Sequence, residues 1–270
     1  MSNESSSSRR AKADAARAAA NSAGKRRERT MRIVGAIVVI VVVLGIVGIA
    51  VVAKNSSGSG GSSSGWGSVT ADPAAATPKG VYGKDAALAY GIPVNAVNAK
   101  VPNLTIWEDL QCPACDALEK ANGSGIQQLA AQGKVNLTYR PTTFLDQNMK
   151  NDASLRATAA WGCAIDQGKT IEFHNQVYAN PPASEGAGFT DATLLKFAQD
   201  SGITGSNLDT FTKCFNAKTY GSWALNSYGK FIDANIPGTP YVSLNGTEIN
   251  AAVAADPAKL AAAVAAATKQ

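Results

Sequence analysis

The most reactive side chains in this 270-residue chain are four cysteines, Cys112, Cys115, Cys163 and Cys214. Two of them stand in the run Cys112-Pro113-Ala114-Cys115. Thiols at this spacing suit either metal ligation or thiol–disulfide exchange. Zinc would need a second close pair or nearby histidines. Cys163 and Cys214 are isolated from one another, and the sole histidine is His174. The expectation is therefore exchange chemistry, with no metal and no cofactor beyond a redox-active disulfide. A cysteine at a helix N-terminus faces unpaired backbone N–H groups and the positive end of the helix dipole. Both stabilise the thiolate, which is the attacking species. Cys112 would hold that position with an exposed sulfur. Cys115, one turn inside, would resolve a mixed disulfide. A purely structural bridge across the four residues is the alternative.

The elements around the pair must create that helix start. Val101–Leu110 is rich in strand formers and partly alternates. Pro113 suits the first turn of a helix. The helix should run through Asp116–Lys120, break near Asn122-Gly123, and resume to about Gln132. Val135–Arg140 is the next strand, so strand, helix and parallel strand make a βαβ unit. Helices follow over Ser154–Ile165, Thr170–Tyr178 and Asp191–Gln199, with Thr190 as N-cap of the last. Leu208–Ile232 holds one or two more. Tyr241–Ile249 reads as a hairpin turning at Asn245-Gly246, and Pro257–Thr268 as a closing helix. The fold class is α/β. Trp161 and Trp223 read as core, and His174 as a helix-packing residue. Glu108 and Asp109 read as solvated or strand-end acids, with assistance to proton transfer at Cys115 as the alternative.

Composition adds a second theme. Apolar residues make up 45% and charged residues 17%, which excludes disorder throughout. The net charge of +5 is a property of the tail. Residues 1–32 hold nine bases and three acids, while the remainder is close to neutral. That tail lacks interleaved aromatics, so nucleic acid is not an expected partner. It reads as disordered and attracted to anionic membrane lipid. Residues 33–53 carry no charge. At ~1.5 Å per residue they span roughly the ~30 Å hydrocarbon layer. A cleaved leader ending at Ala53 is the alternative to a retained transmembrane helix. Basic residues precede the span and only Lys54 follows closely, which puts the N-terminus in the cytoplasm and the rest outside a single-pass cell-membrane anchor. Residues 54–83 begin as a Gly/Ser-rich flexible linker and become an approach segment to the domain at 84–270.

Three segments, WEDLQCPAC, EFHNQVYANPP and IPGTPYVSLNG, occur in that order. Together they resemble the DsbA-like branch of the thioredoxin superfamily, over residues 100–250 or so. The resemblance implies a thioredoxin fold with a helical insertion, here about 151–232. It implies a cis bond between Thr239 and Pro240, in a substrate-binding loop that faces Cys112 and Cys115. It implies that Cys163 and Cys214 form a second, structural disulfide, two free buried thiols being the alternative. The implied activity is disulfide introduction into reduced, unfolded exported proteins, with reoxidation by a quinone-linked membrane protein. A reductase or isomerase of the same fold, or a tethered non-catalytic chaperone, are the alternatives. Two positions depart from the pattern. Ile106 stands where thioredoxins carry a buried acid. Ala114 stands where the strongest oxidants carry histidine and has no side-chain donor for a thiolate, so an oxidant of intermediate strength is expected.

Overall fold

A computed structural model describes residues 65–268. The basic tail, the membrane span and the first part of the linker lie outside the described residues. Among the described residues no helix is long and apolar enough to cross a membrane.

The centre is a five-stranded sheet in the order β1-β3-β2-β4-β5. Its strands are β1 (Ile92–Pro93), β2 (Asn103–Glu108), β3 (Asn136–Pro141), β4 (Tyr241–Leu244) and β5 (Thr247–Ile249). β2 and β3 run parallel, with Leu104 opposite Leu137 and Trp107 opposite Arg140. The other pairs are antiparallel. The parallel pair is joined by helix α1 (Pro113–Ala131), which completes the expected βαβ unit. β2 and β3 are buried on both faces, as strands covered on both sides must be. The β4–β5 turn places Asn245 and Gly246 at φ 52° and 80°, the two positive values that a tight hairpin needs.

α1 runs unbroken through Asn122-Gly123, contrary to the expected interruption. The Asn122 side chain does not compete for its own backbone. Its Nδ2 donates instead to the Ala254 carbonyl at 2.7 Å. Ala254 ends helix α8 (Ala251–Ala254), and α9 (Pro257–Ala267) closes the chain. An N-cap drives the start of α9: Asp256 accepts from the N–H groups of Ala258 and Lys259.

Between β3 and β4 lies the helical block. It comprises α2 (Phe144–Met149), α3 (Ala153–Asp166), α4 (Thr170–Ala179), α5 (Asp191–Asp200), α6 (Ser206–Asn216) and α7 (Gly221–Asp233). The first of these and β1 were not anticipated, because each is too short to show a period. α3 is the axis of the block and is buried along nearly all of its length. Its alanines and Gly162 let neighbours approach closely. A Cβ on Gly162 would come within 2.8 Å of the Tyr220 ring. Trp161 and Trp223 are fully buried, as core residues should be. Cys163 on α3 and Cys214 on α6 are joined by a disulfide, with Cα atoms 5.9 Å apart. Thr190 caps α5 through the Thr193 N–H.

The folded unit also takes in residues 65–83 of the approach segment. Trp66 is buried against Phe215, with ring centroids 5.5 Å apart. Lys218 Nζ donates to the Gly65 carbonyl at 2.6 Å, and Asn226 Nδ2 to that of Asp72 at 2.7 Å. This strap lies on α6 and α7. Further along, Arg140 stacks over Trp107 at 3.9 Å and donates to the Ala89 carbonyl.

Candidate active site

Cys112 is the N-cap of α1, in extended backbone geometry, with Pro113 at the first helical position. Proline suits this place because the N–H it lacks would be unpaired there anyway. The N–H groups of Ala114 and Cys115 are then the free donors nearest the Cys112 sulfur. Both cysteines are thiols in this structure. The Thr239–Pro240 peptide bond is cis, and the Thr239 carbonyl lies 3.5 Å from Cys112 Sγ, which donates to it as a thiol. The loop before β4 therefore meets the start of α1 across the top of the sheet.

The two sulfurs differ sharply. A hydrogen bond from the Cys115 thiol is the largest influence on Cys112 and lowers its pKa. Burial works against it. The nearby Thr239 hydroxyl, which has no other partner, and the N–H groups of Cys115 and Ala114 then bring Cys112 down to about 6. Burial pushes the Cys115 thiol far up, and the negative charges of Cys112 and Glu108 add to the push. At neutral pH the pair is one thiolate and one thiol. Ala114 thus contributes through its backbone what its side chain cannot.

Cys112 is less open than the sequence reading expects, at 5% exposure. Thr239 covers it on one side. It still borders a cleft of about 230 Å³ that it shares with Leu110, Pro113, Asp116, Tyr178 and Pro182. That cleft is where an incoming chain can reach the sulfur.

Glu108 and Asp109 correct the expectation of solvated acids, for both are buried. Asp109 Oδ1 accepts from the Gln111 N–H at 3.0 Å and from Ser154 Oγ at 2.7 Å, and its Oδ2 from the Leu145 N–H at 3.2 Å. Burial outweighs these bonds, and with the Asp146 charge it raises Asp109 to about 8. Asp146 in turn accepts from the N–H groups of Ser154 and Leu155 and so caps α3 from outside that helix. This network fixes the start of the helical block to the loop that carries Cys112.

A buried acid does stand near Ile106, two residues on, at Glu108. Leu104, Ile106 and Glu108 alternate onto one face of β2, so the carboxylate sits one pleat closer to the cysteines than Ile106 does. Glu108 Oε1 lies 2.7 Å from Nε2 of His174 on α4. His174 does pack as expected, with its ring 4.4 Å from that of Tyr139 and 5.1 Å from that of Trp161. Its polar role was missed. The available signal was an acid ending an otherwise apolar strand face, which needs a cationic partner in the core. Glu119 on α1 joins these two, and one ligand atom from each of Glu108, Glu119 and His174 lies within 4.8 Å of the others.

A two-stranded parallel core, a CxxC at the helix start and a cis-proline loop above it define a thioredoxin fold equipped for thiol–disulfide exchange. The chain belongs to the thioredoxin family, whose pattern matches residues 96–264. Within it the chain is a thiol–disulfide oxidoreductase of the DsbA type. Oxidised DsbA from Mycobacterium tuberculosis is 27% identical, covering 66% of this chain and 94% of its own, with a TM-score of 0.54. BdbD from Bacillus subtilis, at 18% identity, covers 73% of this chain and 98% of its own with a TM-score of 0.58. MdbA, a thiol-disulfide oxidoreductase from Actinomyces oris, is 20% identical, covers 66% and 85%, and has a TM-score of 0.55. The last two likenesses bear on the fold alone. No curated protein matches the chain.

Proposed function

We propose that the protein is a membrane-tethered, extracytoplasmic oxidase that introduces disulfides into reduced, unfolded exported proteins. The observation that carries the reading is the asymmetry of the pair: Cys112 lowered to about 6, Cys115 raised. A thiolate that is stable in the enzyme is a good leaving group, which favours giving the disulfide away. A client thiolate attacks Cys112, and the Cys112–Cys115 bond breaks. A second client thiolate attacks the client sulfur of the mixed disulfide and releases Cys112 as thiolate. The client loses two electrons, and the pair gains them as one thiolate and one thiol. Thr239 and Pro240 would hold an extended client segment beside Cys112, since the Thr239 carbonyl already reaches that sulfur. Cys163–Cys214, remote from the CxxC in sequence and within the helical block, serves stability.

The uncharged run at 33–53 behind a basic tail supports the tether and its orientation. A quinone-linked membrane protein would reoxidise Cys112–Cys115, and the anchor would keep both in one membrane. Equilibration with glutathione tests the direction. An intermediate potential, above thioredoxin's roughly −270 mV and below the roughly −120 mV of the strongest oxidants, is the expected result. A thioredoxin-like value would turn the reading towards a reductase. Replacing Cys115 with Ser in cells should accumulate mixed disulfides at Cys112 with exported proteins and with the reoxidising partner.

A further inference from the structure

Arg140, near the end of β3, is a buried cation without an anion. It is 8% exposed, and no carboxylate among the described residues pairs with it. Its guanidinium lies 3.9 Å over the Trp107 ring, and Nη2 donates to the Ala89 carbonyl at 2.9 Å. A guanidinium carries five N–H donors. Here Nε is buried with no partner at all. Burying an unpaired charge is costly, and the stack on Trp107 recovers only part of that cost. Burial accordingly brings Arg140 down to about 10. Arg140 borders a cavity of about 310 Å³ that it shares with Ala89, with Lys84 from the loop before β1, and with Lys230 and Asp233 from the end of α7. Three cations face one acid there, and Lys230 holds that acid at 3.3 Å. The cavity belongs to the face of the sheet turned away from His174. Arg140 stands opposite Trp107, and Trp107 opposite Tyr241, so the three share one face, where Trp107 meets Phe231 of α7. Glu108, next along β2, points to the other.

We propose that Lys84, Arg140 and Lys230 form a binding site for a phosphate group. The planar guanidinium matches two oxygens of a tetrahedral oxyanion at once, and the two ammonium groups add point charges. With Asp233 taken by Lys230, the remaining positive charge is close to that which a phosphate carries near neutral pH and exceeds what one carboxylate neutralises. A bound phosphate would give Arg140 the counter-ion that the chain itself withholds. It would also join the loop before β1 to the end of α7, since Lys84 and Lys230 come from those two segments. Two sources offer this chemistry, a soluble phosphate and the headgroup of an anionic lipid. The site stands apart from the reactive pair and requires neither direction of exchange.

The test is titration of the full chain, in nonionic detergent at constant ionic strength, with inorganic phosphate. Calorimetry and the melting temperature are the readouts. The parent should bind saturably, and its melting temperature should climb with occupancy, because a ligand of the folded state stabilises that state. The double variant Lys84→Gln, Lys230→Gln should lose at least about tenfold in affinity, having lost two charge-assisted contacts. Its melting temperature should respond less. Arg140→Lys keeps the charge but not the fork and should also bind more weakly. If that buried change prevents folding, the lysine variant still decides the matter. The basic tail at 1–32 attracts anions as well, but every variant retains it, so it cancels in the comparison. Mixing phosphatidylglycerol into the micelles separates the sources. A headgroup seated in the site lowers the parent's apparent affinity for inorganic phosphate and leaves the variant's unchanged, whereas a site for soluble phosphate keeps the parent's affinity. No saturable binding by the parent, or equal curves for the parent and the lysine variant, would overturn the site.

Discussion

The ionised Cys112 makes the stability of the reduced protein depend on pH in a way the oxidised protein cannot share. The thiol falls from an ordinary 9.0 to about 6 on folding, with Cys115 as the leading cause. A group lowered on folding contributes stability that is complete above its unfolded pKa and is lost as pH falls through its folded pKa. The window is therefore pH 9 down to pH 6. Three pKa units correspond to about 4 kcal/mol at the top of the window, and about 1.4 kcal/mol is already present at pH 7. For a two-electron couple the latter is about 30 mV of added oxidising potential. Urea unfolding of the reduced and oxidised forms, carried from pH 5 to 9, reads the difference directly. The reduced-minus-oxidised stability should climb by about 1.4 kcal/mol per pH unit between 6 and 9. Thiolate absorbance at 240 nm should show the midpoint near 6, and Cys115→Ala, which removes the leading donor, should move it up. A flat difference curve, or a midpoint near 9, would refute the reasoning.

Three further expectations follow from packing and charge. Replacing both Cys163 and Cys214 with alanine opens a loop of 51 residues and should cost about 4 kcal/mol in denaturant unfolding, while alkylation of Cys112 keeps its pH midpoint. Gly162→Ala drives a methyl into the Tyr220 ring and should cost about 1–3 kcal/mol, read as a lowered melting temperature. His174 is raised on folding to about 9, so its contribution is complete below pH 6.5 and is lost as pH climbs through 9. The oxidised form, free of the thiolate effect, should accordingly weaken in urea from pH 7 to 9.5, and His174→Gln should flatten that decline.

The βαβ unit, the Asn245-Gly246 hairpin and most of the helical block were legible because each is signalled by period or by a turn residue within its own segment. The Cys112–Cys115 pair was legible for the same reason, its spacing being local. What escaped depended on contacts distant in sequence. The exposure of Cys112 is set by Thr239, 127 positions away. Glu108 finds its partner 66 positions on, in His174. Trp66 joins the fold through Phe215 and Lys218, both far along the chain. Asn122 shows the same limit in reverse: its turn-forming habit misled the local reading, and a carbonyl on α8 settled its role.

The strap at residues 65–83 has a mechanical meaning. The described chain begins at Gly65, held by Lys218 on the helical block, while the reactive sulfurs sit at the start of α1. Any pull delivered from the N-terminal side loads that latch first. On the proposed tether, Trp66 and the strap's hydrogen bonds through Lys218 and Asn226 would have to yield before such a load reached the sheet.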